Sequence, residues 1–228
     1  MSKCIYSLSM IDTSQLLLFI PAALALNITP GADMLFCLGQ SIKWGPKAGV
    51  AASFGVSTGS IIHTLLAAFG LATLLAATPW AFEVLRWAGV GYLIWLGIQA
   101  IKSNGVAFDS TKTVTSHAQE NGEVKRLIMY RAWREGTIVN LFNPKVAIFI
   151  LAFIPQFVDP AHGSTLIQFL IFGAIFNITG TTVNSIVALL GGRLGKIFTC
   201  NPSLSAWFQR VTGTLFFGLA AKLAFDRR

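Results

Sequence analysis

Charge is scarce in this sequence. Only 11% of its 228 residues are Asp, Glu, Lys or Arg, whereas a soluble domain carries about 25%. That shortage, with 54% hydrophobic residues and a mean hydropathy of +0.66, excludes a water-exposed globule and calls for a single integral membrane domain. Cysteine is scarce too. Cys4, Cys37 and Cys200 form an odd set whose spacing fits neither a disulfide framework nor a zinc or redox motif. Cys37 reads as a small buried apolar side chain. Acidic residues number 9 against 17 basic ones, but the excess is dispersed over short loops. It therefore fits a positive-inside membrane topology, with no nucleic-acid partner. The sequence also has no His/Glu metal helix and no phosphate-cradling glycine loop, so neither a metal, a cofactor nor an ATP-driven pump is expected.

What the chain does have is long apolar runs. They cover about 16–38, 48–76, 80–101, 136–158, 166–190 and 204–225, each long enough to cross a bilayer. The first has some features of a secretory leader, with Lys3 as the charged region and Ala23-Leu24-Ala25 as a cleavage site. It continues to Leu38, however, which is span length. A polar stretch from Lys102 to Glu135 holds most of the charge and separates 1–101 from 136–228. Trp80, Trp87, Trp133 and Trp207 fall near predicted span ends, where aromatic belts form. Glycine-rich faces within the spans suit close helix packing and are compatible with a homodimer.

The first run is interrupted by Asn27-Ile28-Thr29-Pro30-Gly31-Ala32-Asp33. Proline removes a backbone donor and clashes with the preceding turn, and an ionisable residue at membrane depth marks a functional site. The fourth run opens on a similar break, Asn140-Leu141-Phe142-Asn143-Pro144-Lys145. Other features recur in the same order. Phe54-Gly55 is echoed by Phe172-Gly173, and Arg86-x-x-Gly89-x-x-Tyr92 by Arg210-x-x-Gly213-x-x-Phe216. A repeat of three spans enters the membrane from opposite sides in its two copies. The sequence therefore predicts an all-α protein of six transmembrane helices, built as two inverted three-helix repeats with helices 1 and 4 broken. The loops holding Lys43, Lys47, Lys102, Lys112, Lys125, Arg126, Arg131, Arg134, Arg193 and Lys196 are expected in the cytoplasm, with both termini outside.

Two other patterns lead elsewhere. Gly55-Val56-Ser57-Thr58-Gly59 has the letters of a hydrolase nucleophile turn, but it lies within an apolar helical run and reads equally as a G-x-x-x-G packing face. His63 on the same helix is about 120° round the axis and about 9 Å along it from Ser57. That is too far for a nucleophile–base pair. Asn27-Ile28-Thr29 and Asn177-Ile178-Thr179 match the glycosylation triplet, yet both fall inside predicted spans. They read instead as polar groups facing a helix interface or cavity, as do Asn184 and Ser185.

Taken together, Asn27-x-Thr29-Pro30-Gly31-x-Asp33, Arg134-Glu135-Gly136-x-x-x-Asn140-Leu141-x-Asn143-Pro144-Lys145 and Ile154-Pro155-Gln156-Phe157 closely resemble the LysE/RhtB family of bacterial inner-membrane amino-acid exporters. The resemblance covers nearly the whole chain, with one departure: Ala32 stands where the family usually has a second proline. It implies export of amino acids or related metabolites by proton antiport. The alternatives are a channel, an exporter of another solute or a membrane-embedded hydrolase.

In broken-helix sites, freed backbone N–H groups suit a carboxylate and freed carbonyls suit an ammonium or a coupling cation. The expected substrate- and ion-binding set is Asn27, Thr29, Pro30, Gly31, Asp33, Asn140, Asn143, Pro144 and Lys145. Asp33 is expected to carry the coupling proton or the substrate ammonium, or else to form a fixed pair with Lys145 that joins the two halves.

Overall fold

The computed structural model describes residues 11–77, 79–102, 122–191 and 202–225. Lys3, Cys4, most of the polar stretch with Lys112, and Arg193, Lys196, Cys200 and Arg227-Arg228 lie outside the described residues. The described chain is helical: α1 (Thr13–Ile28), α2 (Ala32–Trp44), α3 (Pro46–Ala77), α4 (Pro79–Lys102), α5 (Gly122–Leu141), α6 (Pro144–Ile148), α7 (Thr165–Leu189) and α8 (Pro202–Phe225). Helix α6 continues as a π-helical turn over Phe149–Phe153 and a 3-10 turn over Ile154–Phe157. Asp12 caps α1, accepting from Ser14 N at 3.1 Å and Ser14 Oγ at 2.7 Å. These bonds hold its carboxyl below the usual carboxylate range.

Among the described residues, two helices, Pro46–Gly70 and Thr165–Leu189, are by themselves long and apolar enough to cross a membrane. Two further pairs qualify when each is taken as one broken span. Thr13–Ile28 and Ala32–Trp44 are bent by 50° at the first proline break, and Gly122–Leu141 and Pro144–Phe157 by 55° at the second. The multi-pass, all-α membrane reading therefore holds.

Helix α3 packs on α2, α5 and α7, and α4 packs on α8. Glycine makes the α3–α5 contact possible. A Cβ on Gly136 would lie 2.5 Å from the Ala52 carbonyl oxygen, and one on Gly59 would lie 2.7 Å from Asn140 Oδ1. A Cβ on Gly55 would run into the Trp133 carbonyl. Gly136→Val should therefore push the helices apart, at about 1–3 kcal/mol or more for overpacking. The readout is the thermal unfolding midpoint of detergent-purified protein. An unchanged midpoint would contradict this packing.

The contacts across the breaks fix the relative direction of the two broken spans. Phe19, before the first break, meets Phe149, Phe153 and Phe157, after the second, at centroid distances of 6.2, 6.4 and 5.2 Å. Phe172 and Phe176 of α7 complete this buried cluster, 4.8 Å from Phe19 and 4.7 Å from Phe149. On the other side of the breaks, Gln40 of α2 donates to Glu135 of α5 at 3.4 Å. Helix α1 thus shares a level with α6, and α2 with α5, so the two broken spans run in opposite senses.

One sequence expectation needs correction. Gly122–Glu135, read as part of a polar stretch between the repeats, is the opening of α5. Its charged residues hid the helix because they lie on the exposed side, while Ala132, Gly136 and Asn140 form a buried stripe at i, i+4 and i+8. Trp133, expected near a span end, packs on a neighbouring helix. It is half-buried and donates its indole N–H to Thr58 Oγ1 at 3.2 Å. Trp80, Trp87 and Trp207 are exposed.

Candidate functional site

The first break begins at Thr29, whose extended backbone ends α1. Pro30 cannot donate to the helix ladder. The Thr29 hydroxyl folds back onto Ala25 O at 2.6 Å, and Leu35 N bonds Gly31 O at 3.0 Å as α2 starts. Ala32 is the first residue of α2. At that position a proline is merely tolerated and pre-organising, so alanine in place of the family's second proline leaves the break intact. Asp33 follows in the first turn of α2, where the helix dipole favours a carboxylate. At the second break, Asn143 caps α6 by accepting Lys145 N at 3.0 Å, with Pro144 as the first helical residue.

The two breaks touch. Asn140 Nδ2 donates to Asp33 Oδ2 at 2.8 Å, and the Lys145 ammonium donates to the Thr29 carbonyl at 2.6 Å. One lysine thus satisfies a carbonyl that the proline break leaves open at the end of α1. Gly31 allows this approach, since a Cβ there would lie 3.4 Å from Lys145 Cδ and Nζ. Thr29, Asp33, Asn140 and Asn143 are buried. Lys145 and Asp33 do not form the fixed ion pair: among the described residues no Asp33–Lys145 contact lies within 4.0 Å. Each charge has its own neutral partner instead.

Asn27, the remaining site residue predicted from sequence, points to α7. It donates to Thr179 Oγ1 at 2.9 Å and to Phe176 O at 3.2 Å, so the two glycosylation-like triplets bind each other. Ser57 and Asn177 form a reciprocal pair: the serine hydroxyl donates to Asn177 Oδ1 and Asn177 Nδ2 donates to Ser57 O, both at 2.8 Å. His63 Nε2 lies 3.4 Å from Asn140 O. Ser57 and His63 therefore serve separate helix contacts and make no nucleophile–base pair.

Between the breaks lies a cavity of about 30 Å³ whose polar lining includes Asn27, Asp33, Ser60, Asn140, Asn177 and Asn184. Ser60 was missed in the sequence, and Asn184 was read there only as an interface or cavity residue. The available signal was periodic. Ser53, Ser57, Ser60 and Thr64 fall at i, i+4, i+7 and i+11 on α3, and Asn177, Thr181, Asn184 and Ser185 at i, i+4, i+7 and i+8 on α7. Each is a polar stripe on an otherwise apolar helix.

The chain matches a known family over most of its length. The LysE type translocator family model matches residues 24–227. The homoserine/homoserine lactone efflux protein of Salmonella typhimurium is 34% identical over 202 residues, covering 89% of this chain and 92% of the relative. The leucine efflux protein of Salmonella choleraesuis is 30% identical over 207 residues, covering 90% and 92%. An uncharacterized membrane protein of Vibrio cholerae is 29% identical over 212 residues, covering 91% and 95%. No solved structure matches the chain. The family model runs through both helix breaks and spans almost the whole sequence, and the chain belongs to the LysE type translocator family.

Proposed function

We propose that this translocator is a secondary active exporter of amino acids or closely related metabolites across the bacterial inner membrane, driven by proton antiport. The observation that carries the reading is the contact of two oppositely directed, proline-broken spans through Asn140–Asp33 and Lys145–Thr29. Broken helices meeting near mid-membrane are the usual setting of transporter substrate and ion sites. Relatives named for efflux of homoserine, homoserine lactone and leucine support amino-acid-like cargo.

The full architecture proposed is six spans in two inverted repeats of three. Helices α4 and α8, of 24 residues each, supply the third and sixth spans, at about 36 Å in length. The basic loops face the cytoplasm. Alternating access follows if one repeat rocks against the other around the fixed breaks. The phenylalanine cluster then seals the outer side, and the Gln40–Glu135 contact lies on the cytoplasmic side.

The test is uphill transport in proteoliposomes with radiolabelled homoserine or leucine at equal concentration on both sides, under an imposed pH gradient and after its collapse by an uncoupler. Orientation is read by impermeant labelling of a cysteine placed at Lys125 in a cysteine-free protein. Saturable transport against the substrate gradient that stops with the uncoupler is expected. Flux linear in substrate gradient and insensitive to the uncoupler would favour a channel.

A further inference from the structure

Where α2 ends and α3 begins, the chain faces the opening of α5 across two adjoining hollows. Lys43 and Arg131 line one, Lys47 and Lys125 line the other, and Trp44 and Ile128 line both. Gly45, at φ 89°, turns the chain sharply between α2 and α3, so Lys43 and Lys47 stand on either side of the corner. Among the described residues that line the hollows, Glu135 is the one acid. Both of its oxygens are engaged, Oε1 by Arg131 Nε at 2.7 Å and Oε2 by Gln40 at 3.4 Å. That bond takes one of the five N–H donors of Arg131. Lys47 is exposed in the first turn of α3, where the helix dipole disfavours a cation and favours an anion. The hollows thus carry more positive charge than the protein around them neutralises.

Their lining is not that of a basic face turned to water. Val124 and Leu127 border the first hollow and are 42% and 66% exposed. The Lys43 ammonium lies 4.9 Å from the Trp44 ring centroid. Exposed apolar side chains, a tryptophan and lysines on one surface compose a membrane interface, where acyl chains meet headgroups. The anion available at that level is lipid phosphate, and basic hollows between helices on the cytoplasmic side bind phospholipid headgroups. Two adjoining hollows, each with two cations, match a headgroup with two phosphates. A single phosphate would leave one pair of cations without a counter-charge.

We infer that the α2–α3 corner and the opening of α5 form a binding site for a phospholipid of the diphosphatidylglycerol type, with one phosphate in each hollow. Such a lipid bridges the two broken spans beside the Gln40–Glu135 contact. Only its placement in the cytoplasmic leaflet rests on the proposed orientation. The site itself is independent of it.

The experiment measures thermal unfolding of the purified full chain in neutral detergent, titrated with defined lipids. The probes are tetraoleoyl cardiolipin, dioleoylphosphatidylglycerol at matched total charge, dioleoylphosphatidylcholine and inorganic pyrophosphate. Cardiolipin is expected to raise the midpoint saturably, and the other three to raise it much less. Lys47→Gln and Lys125→Gln should each weaken cardiolipin binding about fivefold and leave the lipid-free midpoint unchanged. Lys102→Gln, at an exposed position on α4 that lines neither hollow, should leave the affinity unchanged. No stabilisation by cardiolipin overturns the inference. So does equal stabilisation by phosphatidylglycerol, which would mark a diffuse anionic contact, or by pyrophosphate, which would assign the hollows to a soluble phosphate compound. An effect of Lys102→Gln as large as that of Lys125→Gln also overturns it. Cardiolipin binding by the native protein, together with labelling of Lys125→Cys from the periplasmic side, would keep the site and remove the orientation. Cytoplasmic labelling without cardiolipin binding would do the reverse.

Discussion

Asp33→Asn is expected to reduce export against a gradient by about 10- to 100-fold per folded molecule, while exchange down a gradient persists. The magnitude follows from losing one interaction to a charged group, about 1.5–3 kcal/mol. The selectivity of the loss follows from geometry. Asp33 Oδ2 is held by Asn140 at 2.8 Å, while Oδ1 stands unpartnered among the side chains that line the cavity. On the proposed antiport, a proton and a substrate ammonium would compete for that oxygen, and mutually exclusive occupancy is the simplest physical basis for the exchange. Asparagine keeps the shape and a hydrogen bond to Asn140 but binds no proton. The measurement is export rate across an imposed pH gradient in proteoliposomes, normalised to folded protein. Full gradient-dependent export by Asp33→Asn would remove Asp33 from the coupling step and leave it a structural role only.

Much of this site is legible in the sequence because proline and charge are conspicuous inside apolar runs. Pro30, Pro144, Asp33 and Lys145 stand out against neighbours that are almost all apolar, and the structure brings all of these positions to the two breaks. Partner choice was less visible. Sequence suggests pairing Asp33 with Lys145 because opposite charges in a membrane need compensation. The fold instead gives each charge a neutral oxygen or amide, and neither the Thr29 carbonyl nor the Asn140 amide announces itself as the better partner. Serine is equally inconspicuous. Ser60 reads as one more small residue in a packing face until α2, α3 and α5 enclose it. The start of α5 was hidden for a different reason: its exposed face is charged enough to mask the spacing of Ala132, Gly136 and Asn140. Antiparallel placement of the broken spans was anticipated from the order of the repeated motifs, and the Phe19 and Gln40 contacts agree with it.

Replacing Lys145 by methionine should lower stability by about 2–3 kcal/mol and reduce export with it. Two effects oppose each other. Removing a half-buried ammonium relieves a desolvation cost, but it also removes a charge-assisted bond of 2.6 Å to Thr29 O. It leaves a carbonyl at a helix break, inside the membrane, without a donor. The second effect should win, because no other described side chain donates to that oxygen and a proline follows it. The double variant Asp33→Asn with Lys145→Met separates this tie from an ion pair. If the two charges held each other, removing both would restore stability. With no contact within 4.0 Å between the two charges, the Lys145–Thr29 tie predicts a double variant no more stable than Lys145→Met alone, as read in a double-mutant cycle. The four proteins are compared by thermal unfolding midpoint and by export per folded molecule. Recovery of both quantities in the double variant would show that the two halves are joined by the charge pair, not by the Lys145–Thr29 tie.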